Sequence, residues 1–111
     1  MKKEFVIAHD LGTSGNKATL FDSEGNLLAS SFTGYETHYP YPGWAEQKQS
    51  DWWRAVKTST LDLIQKIPEA KRQIVAISFS GQMMCCSPID EKGNPLYDAI
   101  IWSDQRAYKQ R

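Results

Sequence analysis

Two strand-like segments joined by a very short turn occupy the first fifth of the chain. The apolar run of residues 5–8 leads to Asp10, and residues 17–21 alternate in polarity before the chain reaches Asp22. The connection between them is made of glycine and hydroxyl residues, with the letters GTSG at positions 12–15. This composition predicts a β-hairpin, since such residues fit the backbone of tight turns.

The predicted turn also contains groups that can bind ions. Asp10 places a carboxylate beside the hydroxyls of Thr13 and Ser14 and beside backbone N–H groups that Gly12 leaves uncrowded. Successive N–H groups of a turn form a concave site for phosphate oxygens, and Mg²⁺ binds through oxygen with few protein ligands. An ordinary hairpin loop uses the same residue types, so this alternative stays open. Neither the Walker A pattern nor G-x-G-x-x-G occurs in the chain.

Composition restricts the class of protein. The 111 residues predict one domain at most, and 41% apolar with 23% charged residues is typical of globular proteins. Thirteen basic and thirteen acidic residues cancel, so the charge balance gives no reason to expect a nucleic-acid partner. No apolar run suits a membrane span or a signal peptide, and we expect a cytoplasmic protein. The neighbouring Cys85 and Cys86 predict free thiols in a strand, because a bridge between them would be strained.

The order of predicted elements is β-β-β-α-β-β-β-α. Strands are expected at residues 4–9, 16–21 and 27–32, and a helix at residues 51–67, with Ser50 as its N-cap and Pro68 after its end. The apolar residues 74–79 predict a strand covered on both faces. Residues 84–89 and 96–101 predict a second hairpin, and Asp104 opens a last helix.

This pattern is typical of an α/β protein with the ribonuclease-H-like (actin-like ATPase) fold. Only the N-terminal part of that fold is expected: a β-meander, a crossover helix and further strands. A helix that follows the third strand of a meander fits a crossover to a parallel strand.

Four motifs carry a resemblance to a known family. These are DLGTSGNKA at residues 10–18, GWAEQ at 43–47 with DWW at 51–53, SGQM at 80–83, and AIIWSDQR at 99–106. In this order they resemble the FGGY family of carbohydrate kinases, and most of all its xylulokinase-like branch. The resemblance covers residues 1–111 as the N-terminal part of the first kinase domain; members of the family are several times longer.

The resemblance implies transfer of the γ-phosphoryl group of ATP, with Mg²⁺, to a hydroxyl of a sugar or polyol substrate such as a pentulose. Asp10 would act on the metal, and Gly12, Thr13 and Ser14 would donate to the phosphates. Lys17 would add positive charge, although a solvated strand lysine is an equal alternative. Such transfer depends mainly on positioning and on neutralising charge.

The sugar side of the site would involve Gln82, Met83, Met84, Trp102 and Asp104. The alternatives are core packing for the two methionines, burial alone for Trp102, and a favourable charge at a helix start for Asp104. Met84 stands where the xylulokinase-like branch has a histidine. Because a thioether does not replace a hydrogen-bond donor, another ketose, a polyol or a sugar acid stays open as substrate. Trp44 and Glu46 are expected to hold the long loop of residues 33–49 rather than to contact ligand.

No catalytic base is assigned within the chain, since the family's aspartate is expected beyond Arg111. We therefore expect the isolated chain to be inactive. An uncovered apolar sheet face or edge predicts self-association into a homo-oligomer. The alternatives to a kinase are a nucleotide-binding actin-like ATPase and an interaction module that kept the fold without the chemistry.

Overall fold

The computed structural model describes residues 3–111 and has a central sheet with one long helix. Two short 3₁₀ segments, Pro68–Arg72 and Tyr108–Gln110, complete the regular structure. The strands and the helix are β1 Phe5–Leu11, β2 Gly15–Asp22, β3 Leu27–Gly34, β4 Glu46–Gln47, α1 Gln49–Lys66, β5 Ile74–Gly81 and β6 Ala99–Ile100.

The four long strands form one sheet in the order β3-β2-β1-β5. β1, β2 and β3 are an antiparallel meander, and β5 lies parallel to β1 on its other side. The chain travels from β3 to β5 through α1, as parallel neighbours require a crossover connection. The predicted meander, crossover helix and following strand are thus present. The short strands β4 and β6 pair with each other in a separate two-stranded ladder.

The apolar core lies between α1 and the middle of the sheet. Side chains alternate along a strand, so every second residue of β1 and β2 points toward the helix. α1 contributes Leu63, and the 3₁₀ segment that follows closes the end of this core with Ala70. The fully packed members of the cluster are Phe5, Ile7, Ala18, Leu20, Leu63 and Ala70.

A polar group continues the core toward the β1–β2 turn. His9 is buried, and its Nδ1 accepts a hydrogen bond from the Asn16 Nδ2 at 3.0 Å. Its Nε2 lies 3.3 Å from the hydroxyl of Thr60 on α1, and its ring stacks on Phe79 with centroids 5.1 Å apart. Burial lowers the pKa of His9, so the neutral ring with a proton on Nε2 satisfies both contacts. One imidazole therefore joins both strands of the hairpin, the helix and β5.

Most predicted boundaries shift by one or two residues, and two of these shifts concern residues with an assigned role. β1 runs through Asp10 to Leu11, so Asp10 lies within the strand and not after it. α1 begins at Gln49 and its N-cap is Lys48, so Ser50 is in the first turn and caps nothing. Both differences have a tertiary cause: β5 and β2 continue the pairing of β1, and β4 sets the start of the helix.

The predicted second hairpin forms only in part, because its turn is present without two continuous strands, and the prediction of a last helix is wrong. Residues 84–98 contain only isolated bridges, Cys86 with Ile100 and Ile89 with Pro95. Cys85 and Cys86 are free thiols as expected, although they do not lie in a strand. After Asp104 the chain forms turns and a three-residue 3₁₀ segment but no α-helix. The turn at residues 90–94 does form, because the carboxylate of Asp90 accepts bonds from the N–H groups of Lys92 and Asn94.

The prediction that β5 is covered on both faces is also wrong. Nearly all of its side chains are exposed, including Val75, Ile77 and Phe79. α1 packs over β2 and β3, and β5 lies at the edge of the sheet beyond its reach. An apolar sheet edge is therefore open on this chain. Within residues 3–111, no helix has both the length and the apolar character to cross a membrane.

Leu63→Ala tests the location of the core. The side chain of Leu63 is fully buried, so its truncation leaves a cavity and should reduce the free energy of unfolding by about 2–5 kcal/mol. Leu61, on the exposed side of the same helix, is the matched control, and Leu61→Ala should change that free energy by about 0.5 kcal/mol or less. Urea unfolding followed by circular dichroism measures both. Equal losses in the two variants would contradict this packing.

Candidate active site

The turn between β1 and β2 is held by a very close approach of backbones. Gly12 N–H donates to the carbonyl of Gly15 at 3.0 Å, which closes the turn. A Cβ at Gly15 would lie 2.5 Å from the carbonyl oxygen of Thr33 and 2.8 Å from the Cα of Gly34. Contacts this short exclude any side chain, so glycine is required at position 15 to bring β3 against the turn.

All four carbonyl groups of residues 12–15 are hydrogen-bonded. The Gly12 carbonyl accepts from the hydroxyl of Tyr35, and the Thr13 carbonyl accepts from the Gln47 Nε2 at 2.8 Å. The Ser14 carbonyl accepts from the N–H of Tyr35 at 3.2 Å, and the fourth bond is the one from Gly12 N–H to Gly15. Among the residues from 3 to 111, no acceptor is recorded for the N–H groups of Thr13 and Ser14. The turn therefore keeps two backbone donors available to an anion.

Asp10 and Lys17 lie on one sheet face beside this turn. They are directly opposite each other in the pairing of β1 with β2, so their side chains share a face. Both side chains are exposed, and within the described range Asp10 takes part in no salt bridge. Burial and the charge of Asp10 raise the pKa of Tyr35 to about 12, which keeps the Tyr35 hydroxyl protonated as a donor.

A metal ion at this place would have one protein carboxylate. No group of three or more His, Cys, Asp or Glu side chains is close enough to form a complete metal site in the described part of the chain. A free, exposed carboxylate next to a turn with two available N–H groups fits Mg²⁺, which usually keeps several waters and is bound through one or two carboxylates plus substrate phosphates. The donor set fits a metal–nucleotide complex better than a metal ion alone.

Trp102 brings the distant C-terminal segment to the turn. Its indole Nε1 donates to the Thr13 hydroxyl at 2.9 Å, although 89 positions separate the two residues. The Thr13 hydroxyl accepts this bond and keeps its own proton for another acceptor. The side chain of Trp102 is 57% exposed, so burial alone does not explain this residue.

The segment after β5 lies next to the turn as well. Gln82 N–H donates to the Leu11 carbonyl at 2.8 Å, and the Gln82 Nε2 donates to the Gln47 Oε1 at 2.8 Å. Met83 and Met84 are highly exposed, Met84 at 91%, so neither packs in the core of this chain. Met84 has a φ of 62°, a backbone conformation that residues other than glycine rarely adopt. Two thioethers are thus presented to solvent beside Gln82.

Asp104 is engaged within the protein. Its side chain is only 4% exposed, and its Oδ2 accepts from the Ala45 N–H at 2.7 Å and from the Arg106 guanidinium at 2.7 Å. Arg106 also pairs with Glu46 at 2.8 Å and lies 3.8 Å above the ring of Trp44. Glu46 and Trp44 therefore hold the long loop, as expected. Hydrogen bonds from Arg106, and further ones from backbone N–H groups, lower the pKa of Asp104 to about 2.

The sequence did not single out Gln47 or Tyr35 as contributors to this site. Gln47 belongs to the GWAEQ motif and Tyr35 follows β3, but neither has a charge or a reactive group that would mark it. The only sequence signal was a polar residue, Gln47, placed directly before the amphipathic helix.

Asp104→Asn tests the anchoring role of this carboxylate through pH. The folded-state pKa of Asp104 is lower than the ordinary value of 3.8, so its contribution to stability is present above pH 3.8. That contribution is lost as the pH falls toward about 2. The difference in unfolding free energy between wild type and Asp104→Asn should therefore shrink between these pH values.

The matched control for this pH experiment is Asp98→Asn. Asp98 lies 3.8 Å from Lys48 in a pair whose side chains are both substantially exposed, and such pairs contribute little. Urea unfolding at several pH values measures both variants. A pH-independent difference for Asp104→Asn would contradict the anchoring role.

Comparisons with known proteins show which family the chain belongs to. The model of the FGGY family of carbohydrate kinases, N-terminal domain, matches residues 5–110. A glycerol kinase from Synechocystis sp. is 40% identical over 104 residues, and a xylulose kinase from Lactococcus lactis is 37% identical over 106 residues. The matches cover 93% and 96% of this chain, respectively, and 21% of each relative.

A solved structure shows the same fold. The crystal structure of gluconate kinase from Lactobacillus acidophilus superposes with a TM-score of 0.90 at 31% identity. The match covers 98% of this chain and 22% of that protein. The predicted α/β, ribonuclease-H-like (actin-like ATPase) fold is confirmed. The chain spans about a fifth of the length of the relatives that it matches. With a family model that covers residues 5–110, this chain belongs to the FGGY family of carbohydrate kinases.

Proposed function

We propose that the complete protein transfers the γ-phosphoryl group of ATP to a hydroxyl of a sugar or polyol, and that residues 1–111 supply the phosphate turn with part of the sugar site. The observation that carries this proposal is the bonding of the β1–β2 turn. Its four carbonyl groups are all occupied, while the N–H groups of Thr13 and Ser14 are available. A nest of N–H groups beside a free carboxylate suits a metal-bound polyphosphate.

Each residue of the turn has a distinct task in this proposal. Thr13 and Ser14 donate backbone N–H groups and hydroxyls to phosphate oxygens. Gly12 was also expected to donate, but its N–H is bonded to the Gly15 carbonyl, so it closes the turn instead. Asp10 holds Mg²⁺ through its exposed carboxylate, directly or through water. When bound, Mg²⁺ neutralises the charge that develops on the phosphates. Lys17 adds positive charge on the same sheet face as Asp10.

The sugar would lie between the segment after β5 and Trp102. Gln82 is held near the turn, and Met83, Met84 and Trp102 present exposed apolar surface that suits the C–H face of a sugar ring or chain. Asp104, whose carboxylate is occupied by Arg106 and Ala45, would act on the sugar side by shaping the loop.

The substrate is proposed as a pentulose of the xylulose type, with a polyol or a sugar acid as alternatives. Relatives named glycerol kinase, xylulose kinase and gluconate kinase represent all three chemical classes. Met84 offers no hydrogen-bond donor, so the part of the substrate that it contacts should be apolar. Thermal-shift screening of the full-length protein with members of each class distinguishes them, because a ligand of the native state raises the melting temperature.

In this proposal, the general base of the reaction comes from outside residues 1–111. The accepting hydroxyl forms its bond to the γ-phosphorus as the bond to the bridging oxygen of ADP breaks, and an aspartate beyond Arg111 takes the hydroxyl proton. Residues 1–111 are proposed as the N-terminal part of the first kinase domain, with the cytoplasm as its location since ATP is the donor. Self-association is also proposed, because β5 leaves an apolar sheet edge open.

Asp10→Asn tests the metal role. The amide keeps the size of the side chain but loses its charge, so kcat of the full-length protein should fall on the order of 10²-fold or more with little change in melting temperature. Asp62→Asn, an exposed carboxylate on α1, is the control and should leave kcat unchanged. A coupled ADP-release assay with the preferred sugar provides kcat. Wild-type activity in the Asp10 variant would overturn the role.

The isolated chain of 111 residues should release no ADP above background. Without the general base and a closing domain, neither proton removal nor exclusion of water is achieved. The assay combines this chain, MgATP and a panel of ketoses, polyols and sugar acids. Turnover that depends on one of these substrates would show that the chain contains a complete active site.

A further inference from the structure

The side chain of Gln47 hydrogen-bonds to four different residues near the candidate site. It is completely buried, and its amide makes four hydrogen bonds. The Nε2 group donates to the Thr13 carbonyl at 2.8 Å and to the Thr37 hydroxyl at 2.9 Å. The Oε1 atom accepts from the Trp52 indole at 2.9 Å and from the Gln82 Nε2 at 2.8 Å.

These four bonds use the whole capacity of a primary amide, which has two donors and two acceptor positions. The four partners come from different parts of the fold: the β1–β2 turn, the loop after β3, α1 and the segment after β5. The backbone of Gln47 also pairs with Ala99, three residues before Trp102. Through its buried side chain and its backbone together, Gln47 therefore joins the turn, Gln82 and the segment that leads to Trp102.

The bond to Thr13 determines the direction of a phosphate donor. A trans peptide is planar, and the carbonyl of Thr13 points opposite to the N–H of Ser14. Because the Gln47 amide holds this carbonyl, it also directs the Ser14 N–H away from the protein interior. A rotated peptide would leave that carbonyl unsatisfied in a partly buried place, at a cost in free energy.

The bond to Gln82 orients a side chain on the proposed sugar side of the site. The Oε1 atom of Gln82 is buried, and it has no hydrogen-bond partner within the range that the structure describes. Its amide is therefore oriented by the single bond from its Nε2 to Gln47. Gln47 is shared between the turn and this segment, so a displacement of one is transmitted to the other.

We propose that Gln47 is a positioning residue of the kinase. It fixes the orientation of the Thr13–Ser14 peptide for the nucleotide phosphates, and it holds that peptide in a fixed position relative to the sugar-binding segment at Gln82. This inference rests on the proposed function. Gln47 touches neither substrate nor metal and acts through the two segments that it joins. Positional errors of about 1 Å in such sites cost on the order of 10²-fold in rate.

The test uses Gln47→Glu in the full-length protein. A carboxylate still accepts from Trp52 and Gln82 but donates neither to the Thr13 carbonyl nor to the Thr37 hydroxyl, so the bonds to the turn and to the loop after β3 are lost while those to α1 and Gln82 are kept. We expect kcat/KM for ATP to fall on the order of 10²-fold, while KM for the sugar changes much less. Gln47→Asn, which keeps the amide but shortens its reach, should weaken both halves and raise both KM values.

Two control variants separate positioning from stability. Gln49→Glu makes the same chemical change two residues away, where the amide contacts only Ser87 and Tyr97, and should leave all constants unchanged. Leu63→Ala destabilises the core far from the turn and should keep wild-type constants well below its melting temperature. For every variant, steady-state kinetics gives kcat and the KM values for ATP and for the sugar, and thermal unfolding gives the melting temperature.

The outcomes are distinguishable. If wild type phosphorylates no sugar, polyol or sugar acid, the proposed function fails and the inference falls with it. If wild type is active and Gln47→Glu loses only melting temperature, with both KM values and kcat intact, Gln47 is structural and the inference is overturned. If Gln47→Glu does not fold, Gln47→Asn decides: raised KM values for both substrates support the inference, and unchanged values reject it.

Discussion

The anchoring of the carbonyl groups in the β1–β2 turn is the constraint on which the candidate site depends. A four-residue turn has more polar groups than its own backbone can pair, and in a partly buried place an unpaired carbonyl is costly. Here the donors come from Tyr35, from Gln47 and from the turn itself. Since the carbonyls are held on one side, the N–H groups face the other. In the proposed function, a turn of common residues becomes an anion site because its surroundings orient it.

Two different interactions maintain these surroundings. The apolar contacts between α1 and the sheet provide most of the burial, and they tolerate small adjustments of side chains. The polar contacts do not tolerate such adjustments, because the side chains of His9, Asn16 and Gln47 are buried and need hydrogen-bond partners at definite positions. Asp104 and Arg106 serve the same purpose on the outer segment, where little apolar burial is available. The core thus supports the fold, while the buried polar groups hold the geometry of the turn.

Much of the fold was predictable, and the failures have a common cause. The meander and α1 follow from periodicities within one segment, and Pro68 stops the helix through its own chemistry. Residues 84–101 show the same alternation as a hairpin, and their turn does form around Asp90. The flanking segments nevertheless form no continuous ladder with each other: they meet at two isolated bridges, Cys86 with Ile100 and Ile89 with Pro95, and Ile100 also pairs with Glu46 of β4. Competition among possible partners is not visible in a local pattern.

The amino-acid sequence by itself determined the strand-turn-strand unit with Asp10 and its hydroxyl residues, the amphipathic helix, and the four motifs of the family. These are properties of residues close together in the chain, where turn chemistry and side-chain periodicity act directly. Only the tertiary structure decided that Gln47 and Tyr35 orient the turn, that Trp102 binds the Thr13 hydroxyl, and that the Asp104 carboxylate is occupied by Arg106. Three of these contacts join residues 23, 34 and 89 positions apart, and hydrogen bonds over such separations depend on the folded path of the chain.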